Sequence, residues 1–197
     1  METDLDTARG ILRVPTGTWT VDPAHSSVEF RVKHMMISTV RGRFGAFEGT
    51  IDAAPDYHQS KVRGTVQAAS IDTNEPRRDD HLRSADFFDA DHHPVIGFES
   101  TAIEHRGKGD YQVTGNLMMH GETRPVVFEA TVHGVTRDSQ RNERVGLEVR
   151  GTISRSEFGL RWQQALETGD VVVGDEVRIS ADISAVCTTR GAESGAA

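Results

Sequence analysis

The chain has little cysteine and fewer basic than acidic residues. Cys187 is the only cysteine among 197 residues, so a disulfide within one chain and a cysteine-based zinc cluster are both excluded. Lys and Arg number 22 against 30 Asp and Glu, which gives a formal net charge of −8. A protein that mainly neutralises nucleic-acid phosphates would carry the opposite sign of charge. The composition therefore argues against nucleic acid as a partner.

Long apolar runs and targeting patterns are also missing. No segment approaches the roughly 18 uninterrupted apolar residues of a membrane-spanning helix, so we expect no membrane span. The chain starts METDLDTARG, which is acidic where a secretory signal would be basic, and the apolar run of such a signal does not follow. We therefore expect a cytoplasmic protein with one domain at 16–188 between disordered tails at 1–15 and 189–197.

Motifs of the common catalytic classes are absent from the sequence. There is no G-x-S-x-G elbow, no G-x-G-x-x-G loop and no P-loop. Cys187 has no histidine near it in the sequence, as a cysteine nucleophile would need. The motifs therefore give no support to an enzyme.

The densest set of metal-ligand side chains is HLRSADFFDADHHP, residues 81–94. Histidine and aspartate are ligand types that divalent transition metals prefer. Neighbours such as His92 and His93 point to opposite sides of an extended chain, however, and no spacing matches HxxxH or HExxH. We therefore expect no metal site here. We expect His92 and His93 to lie in a solvated loop and to be replaceable by Ala without loss of stability.

The dominant hydrophobic period is two, which is typical of strands with one wet face. In SSVEFRVKH, apolar Val28, Phe30 and Val32 alternate with polar residues. The same alternation recurs clearly at 111–119, 124–132, 144–154 and 175–186, and more weakly around 41–52, 60–71 and 94–104. About eight antiparallel strands joined by short turns predict a sandwich or a closed barrel, and closure would remove exposed edges.

Four glycines take inward positions within these strands. They are Gly42, Gly64, Gly115 and Gly151. A glycine inside a strand costs stability and marks a sharp bend or a close approach to the backbone. The missing side chains therefore leave either strongly coiled strands or an unfilled lumen, and the sequence leaves both open.

Two segments interrupt the strand rhythm. NEPRRDDHLRSADFF predicts a short helix at 76–85, because Pro76 suits a first helical turn and the acidic residues around it suit a helix N-terminus. SRSEFGLRWQQALETGD carries Gly159 where a long helix would have to continue. We expect the segment 76–93 and the loop 156–165 to cover one end of the strands.

His34 ends the inward register of its strand and should lie near the mouth of the lumen. A lone inward histidine is commonly a core residue with a hydrogen-bond partner. Alternatively, His34 holds the polar end of a bound amphiphile, because apolar pockets fix a ligand with few polar groups. The sequence leaves both roles open.

Six stretches in a fixed order carry a family resemblance. They are GTWTVDPAHSSVEFRVKH, VRGRFGAFEGTI, ASIDTNEPRRDDHLRSADFFDADHHPVIGFES, YQVTGNLMMHGETRPVVF, ISRSEFGL and VGDEVRISADISA. Over about residues 17–186, the chain resembles the YceI-like family, and the patterns W-x-V-D-x-x-H-S, D-x-H-L-R-S-x-D-F-F and R-S-E-F-G-L are specific. The resemblance implies an all-β fold, an eight-stranded antiparallel lipocalin-like barrel with one or two short helices covering an end.

The same resemblance implies a bound lipid. Family members bury a polyisoprenoid, such as a polyprenyl quinone or its precursor, and some hold fatty-acid derivatives. A hydrophobic ligand of this kind is then the expected partner, with no other cofactor and no metal. Gram-negative members are often exported to the periplasm, which we do not expect here because the signal is missing. The resemblance also admits a homodimer.

We expect inward and covering residues to hold the ligand. They are Phe30, Val32, His34, Phe44, Phe87, Phe88, Phe98, Val113, Leu117, Met119, Phe128, Ile153, Arg155, Phe158 and Trp162. Among them, His34 and Arg155 are the candidates for headgroup contacts. Burial of each methylene gains roughly 0.8 kcal/mol, so a long chain outweighs the freedom lost on binding.

Two other functions remain open. An enzyme acting on an amphiphile in the same lumen would use His34 or His25 as its general base. A barrel whose lumen is filled by its own side chains would instead serve as an interaction module.

Overall fold

A computed structural model describes residues 12–163 and 172–190. Antiparallel strands make up most of these residues. The strands are β1 Gly17–Val21, β2 Ser27–His34, β3 Ser38–Phe44, β4 Phe47–Ala53, β5 Lys61–Gln67, β6 Ile71–Asp72, β7 Val95–Gly107, β8 Asp110–Met119, β9 Glu122–Arg137, β10 Glu143–Ser154 and β11 Val173–Arg190. The helix α1, Pro76–Arg83, lies between β6 and β7, and short 3-10 turns lie at Pro23–His25, Tyr57–Gln59, Ala68–Ser70 and Arg155–Phe158.

Eight strands close the barrel in the order β1-β4-β5-β7-β8-β9-β10-β11, and β11 hydrogen-bonds back to β1. The remaining strands continue others past short breaks. Val21 of β1 lies opposite Ala185, and Ser27 of β2 lies opposite Asp182. Both strands therefore pair, one after the other, with the single long strand β11. In the same way β3 continues into β4, and β5 into β6. The predicted eight-stranded barrel is confirmed, although the alternation did not predict β1.

One end of the closed barrel has a seam between β6 and β7. β5 pairs with β7 as far as Gln67 opposite Val95. β6, which continues β5, pairs with β3 through two residue pairs and not with β7 among the described residues. The chain that links β6 to β7 carries α1, and its residues reach into the barrel interior. We call residues 76–93 the covering segment.

The helix α1 begins where the sequence predicts and ends two residues early. Pro76 occupies the first turn, and the Glu75 carboxylate accepts a hydrogen bond from the Arg78 N–H at 2.8 Å. The helix ends at Arg83, where Ser84 Oγ donates to the His81 carbonyl at 2.7 Å. This hydroxyl takes a carbonyl that the next helical turn would have used.

Polar contacts fasten α1 to the strands before it. The buried Asp79 carboxylate accepts the Thr73 N–H at 2.9 Å and also the Thr73 hydroxyl. Arg78 Nε donates to the same hydroxyl at 2.7 Å. Arg83 donates to two backbone carbonyls in and before β6. The covering segment therefore begins from a point fixed by hydrogen bonds.

Two apolar clusters pack the barrel interior. One surrounds Trp19, whose indole N–H donates to the Pro15 carbonyl at 2.8 Å. Its buried members are Trp19, Ala53, Ile103, Tyr111, Val113, Ala130, Val132, Val145, Leu147 and Ala185. The other surrounds the fully buried Phe158, with Leu117, Met119, Ile153 and Leu160.

Residues 12–15 correct the predicted N-terminal tail. The Leu12 N–H donates to the Lys108 carbonyl, and the Tyr111 hydroxyl donates to the Leu12 carbonyl at 3.1 Å. Leu12 and Val14 also pack against the Trp19 cluster. These residues are held in place because their side chains pack against the cluster and because the Leu12 and Pro15 carbonyls accept hydrogen bonds from Tyr111 and Trp19. At the other end β11 extends to Arg190, two residues into the predicted tail, and the rest of both tails lies outside the described residues.

None of the helices in the described part of the chain has the length and apolar character needed to cross a membrane.

Candidate ligand-binding cavity

A cavity of about 340 Å³ lies inside the barrel. Its wall runs along β8 from Val113 to Met119 and along β10 from Leu147 to Ile153. At roughly 3.4 Å per residue, this span corresponds to about 20 Å. Most of the lining side chains are apolar, and the volume falls in the range of about 300–1,000 Å³ typical of ligand pockets. A long, narrow, apolar space of this kind suits a flexible hydrocarbon chain.

Most of the predicted ligand contacts lie on the wall of this cavity. They are Phe30, Val32, Phe44, Phe87, Phe88, Phe98, Val113, Leu117, Met119, Phe128, Ile153 and Arg155. Strand alternation positions the majority, because every second side chain of a strand points to the same face. Their contact with a ligand stays a prediction.

Phenylalanine rings form two groups along the wall. The Phe44 ring lies 5.7 Å from that of Phe30 and 5.9 Å from that of Phe88, and so connects the β2–β3 hairpin to the covering segment. Across the lumen, the rings of Phe98 and Phe128 meet edge to face at 5.3 Å. These centroid separations are typical of stabilising aromatic pairs.

The inward glycines give three of these rings their space. A Cβ atom built on each of three glycines would lie 2.2 to 2.4 Å from a ring carbon: Gly42 from Phe30, Gly115 from Phe98, and Gly151 from Phe128. Gly64 is different, because a Cβ there would meet nothing closer than 3.7 Å, and the residue lines the cavity. The sequence left coiling or an unfilled lumen open. The structure shows aromatic packing over three glycines and empty space at the fourth.

Three predicted ligand contacts lie away from the cavity wall. Phe158 is fully buried in its own cluster because the 3-10 turn points it into packed side chains. The Trp162 ring packs against Phe87 at 5.3 Å and against His81 at 4.9 Å. His34 is half-buried at the end of β2, two residues beyond the last lining residue of that strand. The predicted covering loop 156–165 is described only as far as residue 163.

Arg155 joins two backbone segments at the cavity wall. Its side chain is buried, and its Nε donates to the Gly174 carbonyl at 2.9 Å. Its two Nη atoms donate to the carbonyls of Leu160, Trp162 and Val173. Burial lowers the pKa of the guanidinium from its ordinary value, but an arginine in a protein stays charged. Four of its five N–H donors therefore hold the loop after β10 against the start of β11.

Sequence reasoning missed part of the wall. The additional apolar lining residues include Val28, Ile51, Val62, Val66, Leu82, Ile96, Ala130, Leu147, Val149, Leu160, Val173, Val177, Ile179, Ala181 and Ile183. Most lie on the same alternating registers and follow from extending the period-two pattern. Leu160 lies outside the strands and carries no periodic signal, and the Arg155 hydrogen bond to its carbonyl holds it at the wall.

The acidic, histidine-rich stretch at 81–94 is divided between two environments. Leu82, Phe87 and Phe88 line the cavity. Asp89 and His93 lie instead beside His120 in the β8–β9 turn, with one ligand atom from each residue within 4.8 Å of the others. Local spacing within the stretch could not reveal this cluster, because His120 belongs to another part of the sequence.

The YceI-like domain model matches residues 19–185, nearly the whole of the closed barrel. The chain belongs to the YceI-like family. Two Staphylococcus aureus relatives are UPF0312 protein SAB2563 from strain bovine RF122 / ET3-1 and UPF0312 protein SA2479 from strain N315. Each is 36% identical over 165 residues, which cover 83% of this chain and 94% of the relative.

Solved structures share the fold of this YceI-like protein. Burkholderia cenocepacia BcnA matches with a TM-score of 0.71 and 28% identity, covering 83% of this chain and 98% of BcnA. The Campylobacter jejuni YceI protein matches with a TM-score of 0.67 and 27% identity, covering 94% and 98%. A polyisoprenoid-binding domain from Saccharophagus degradans matches with a TM-score of 0.66 and 15% identity, covering 86% and 98%. The last likeness concerns the fold alone.

Proposed function

We propose that this YceI-like protein binds a long-chain isoprenoid, such as a polyprenyl quinone or its precursor, or a related lipid in the barrel lumen. The observation that carries the proposal is the apolar cavity of about 340 Å³. Each buried methylene contributes roughly 0.8 kcal/mol, so a chain filling this space gains enough to offset its lost freedom.

The shape of the cavity favours a chain over a compact ligand. Its wall connects the two apolar clusters. Val113 and Leu147 belong to the wall and to the Trp19 cluster at one end, whereas Met119 and Ile153 belong to the wall and to the Phe158 cluster at the other. A flexible lipid fits a space that is long and narrow, whereas a rigid ring system of equal volume needs more width.

The relatives support a ligand class rather than a particular ligand. The Saccharophagus degradans domain is named for polyisoprenoid binding, and the YceI-like fold that both chains share supplies a lumen for such a chain. A quinone headgroup, a cytoplasmic location and a homodimer stay predictions for this protein.

Arg155 is the stronger of the two headgroup candidates. Its guanidinium is buried at the cavity wall and retains one Nη–H beyond the four hydrogen bonds that it donates to described residues. This donor would suit a carbonyl or a phosphate oxygen of a lipid headgroup. His34 lies two residues beyond the last lining residue of β2, so a headgroup contact from this side chain has less support.

Binding is favoured over the alternative functions. The two histidines named as general bases lie away from the cavity: His25 is 65% exposed and hydrogen-bonds to Asp22, and His34 is not on the wall. The open lumen also disfavours an interaction module whose barrel is filled by side chains. A binding protein therefore accounts best for the geometry.

Native mass spectrometry of the intact protein, followed by organic extraction, tests the proposal. We expect a mass above that of the chain and an extracted lipid, or uptake of a polyprenyl quinone by the delipidated protein. A ligand-free mass together with no uptake of polyprenyl quinones or fatty acids would overturn it.

A matched pair of variants locates the lipid. Val149→Trp fills the cavity from β10, whereas Thr152→Trp places the same side chain on the exposed face of the same strand. Lipid uptake should fall strongly in Val149→Trp and remain at the wild-type level in Thr152→Trp. Equal uptake by both folded variants would place the lipid elsewhere.

A further inference from the structure

A cluster of metal-ligand side chains lies outside the lipid cavity. Asp89 and His93 end the covering segment, and His120 begins the turn between β8 and β9. One ligand atom from each lies within 4.8 Å of the other two, and all three residues are half-buried. Two imidazoles with one carboxylate are a preferred donor set of divalent transition metals.

The His120 ring is already oriented as a metal ligand would be. Its Nδ1 lies 3.1 Å from the Phe158 carbonyl oxygen. A carbonyl can only accept a hydrogen bond, so Nδ1 carries a proton, and in the neutral imidazole Nε2 then keeps its lone pair. Metal-binding histidines commonly donate their other N–H to a backbone carbonyl in this way.

Two glycines hold the imidazole rings in place. A Cβ on Gly121 would lie 2.9 Å from His93 Cε1, and a Cβ on Gly159 would lie 3.0 Å from His120 Nδ1. Both glycines have positive φ angles, +76° and +77°, so side chains are disfavoured there by backbone conformation as well as by contact. The two rings consequently meet with centroids 5.0 Å apart.

The third ligand is positioned by its own backbone. Asp89 has a φ of +46°, and its carbonyl accepts the His92 and His93 N–H groups. Its carboxylate hydrogen-bonds to the exposed His92 ring at 2.9 Å. A carboxylate has lone pairs for both a metal and such a partner, so His92 would orient Asp89 from outside the site.

We propose that Asp89, His93 and His120 bind one divalent transition-metal ion such as Zn²⁺, with water at the fourth position. Tetrahedral Zn²⁺ at roughly 2.0–2.2 Å from each ligand holds the donor atoms about 3.4 Å apart. In the bound state, side-chain rotations would bring the donor atoms from their present separations, which are within 4.8 Å, to that spacing. The ion would connect the covering segment to the β8–β9 turn, directly after Phe88 on the cavity wall.

Metal titration of the metal-stripped full chain tests this site. Zn²⁺ binding is measured by calorimetry and Co²⁺ binding by visible absorption, with one ion per chain expected. His93→Ala and His120→Ala should each weaken binding at least about tenfold. His133→Ala is the matched control, because it removes an exposed histidine elsewhere in the chain and leaves the same number of histidines. Its affinity should equal that of the wild type.

Thermal unfolding gives a second readout that does not depend on a bound lipid. Zn²⁺ should raise the Tm of the wild type and of His133→Ala equally, and should raise the Tm of His120→Ala much less at the same Zn²⁺ concentration. Circular dichroism without metal shows whether each variant is folded. If an alanine variant does not fold, Asp89→Asn or His120→Gln is tested in its place. Equal weakening in all variants, or no Zn²⁺ binding by the wild type, would overturn the proposal.

Discussion

Inward glycines and phenylalanines act as pairs at the scale of single residues. Gly151 lies directly across from Phe128 in the β9–β10 register, and the ring occupies the volume of the missing side chain. Such pairing of a strand glycine with an aromatic ring offsets part of the stability that glycine costs. It also keeps the rings at the wall, so that the lumen beside them stays open.

The first prediction separates the two kinds of inward glycine. Gly151→Ala should lower the free energy of unfolding by about 1–3 kcal/mol, because its Cβ would lie 2.2 Å from Phe128 Cδ1 and displace the ring. Gly64→Ala is the control, since its Cβ meets nothing closer than 3.7 Å. Urea unfolding of both variants checks the difference, and equal stability would contradict the packing described.

The second prediction concerns the buried Arg155. Arg155→Met should lower the free energy of unfolding by about 2–4 kcal/mol, because hydrogen bonds from a charged group are lost and carbonyls are left unsatisfied. Arg161→Met alters an exposed neighbour and should change stability little. Urea unfolding measures both. A small loss in Arg155→Met would show that water replaces the guanidinium.

Broken strands shape the barrel at the scale of its elements. The break between β1 and β2 is tied to β10 by Asp22, whose carboxylate accepts from Arg144 at 2.7 Å. Asp22 also accepts the Ala24 N–H at 3.1 Å and bonds to His25 at 2.7 Å. The Asp22 carboxylate therefore helps to fix the turn at the break, together with hydrogen bonds from the Asp22 N–H and the Ser26 hydroxyl to the Ser184 carbonyl.

The third prediction is a pH dependence at this break. Hydrogen bonds from Arg144 and His25 lower the pKa of the Asp22 carboxyl from 3.8 to about 2. Because the folded pKa lies below the unfolded one, the carboxyl favours folding above about pH 4, and this contribution is lost as the pH falls toward 2. The urea midpoint of the wild type should therefore exceed that of Asp22→Asn at neutral pH, with the gap narrowing below about pH 4.

The control for this pH dependence is Asp91→Asn, which changes an exposed aspartate in the covering segment. Its urea midpoint should follow that of the wild type across the same pH range. A gap for Asp22→Asn that stays constant down to pH 2 would show that the carboxylate contributes no pH-dependent stability.

At the scale of the whole molecule, the hydrogen bonds between strands are distributed unevenly around the barrel. β10 and β11 pair continuously from Arg144 opposite Val186 to Ser154 opposite Glu176. On the seam side, β6 holds to β3 through two residue pairs, and α1 holds to that region by polar contacts. Local opening should therefore be easiest at the covering segment, which is where a lipid would enter.

The fourth prediction uses hydrogen exchange to compare these regions. Amide protons of α1 and the covering segment should exchange faster than those of β10, because local opening needs less free energy than unfolding the barrel. A lipid bound in the lumen should slow exchange in the covering segment, since Phe87 and Phe88 line the cavity. Equal protection of both regions would argue against entry at the seam.

Local patterns in the sequence predicted much of this architecture. Alternation identified the inward face of the strands, and Pro76 with its acidic neighbours identified the start of α1. The same patterns placed His34 at the inward end of β2 but could not show that the cavity lining of this strand stops at Val32. Phe158 and Trp162, which were predicted as ligand contacts from the covering loop, do not line the cavity.

The sequence by itself determined the alternating strands and the apolar character of the interior, because period-two alternation and capping signals depend on near neighbours, while the closed barrel was implied by the motifs that resemble the YceI-like family. Only the tertiary structure decided which ring covers which glycine, which carbonyls Arg155 holds, and that His93 meets His120. These outcomes depend on contacts between residues distant in the chain, and strand register and barrel closure bring those residues together.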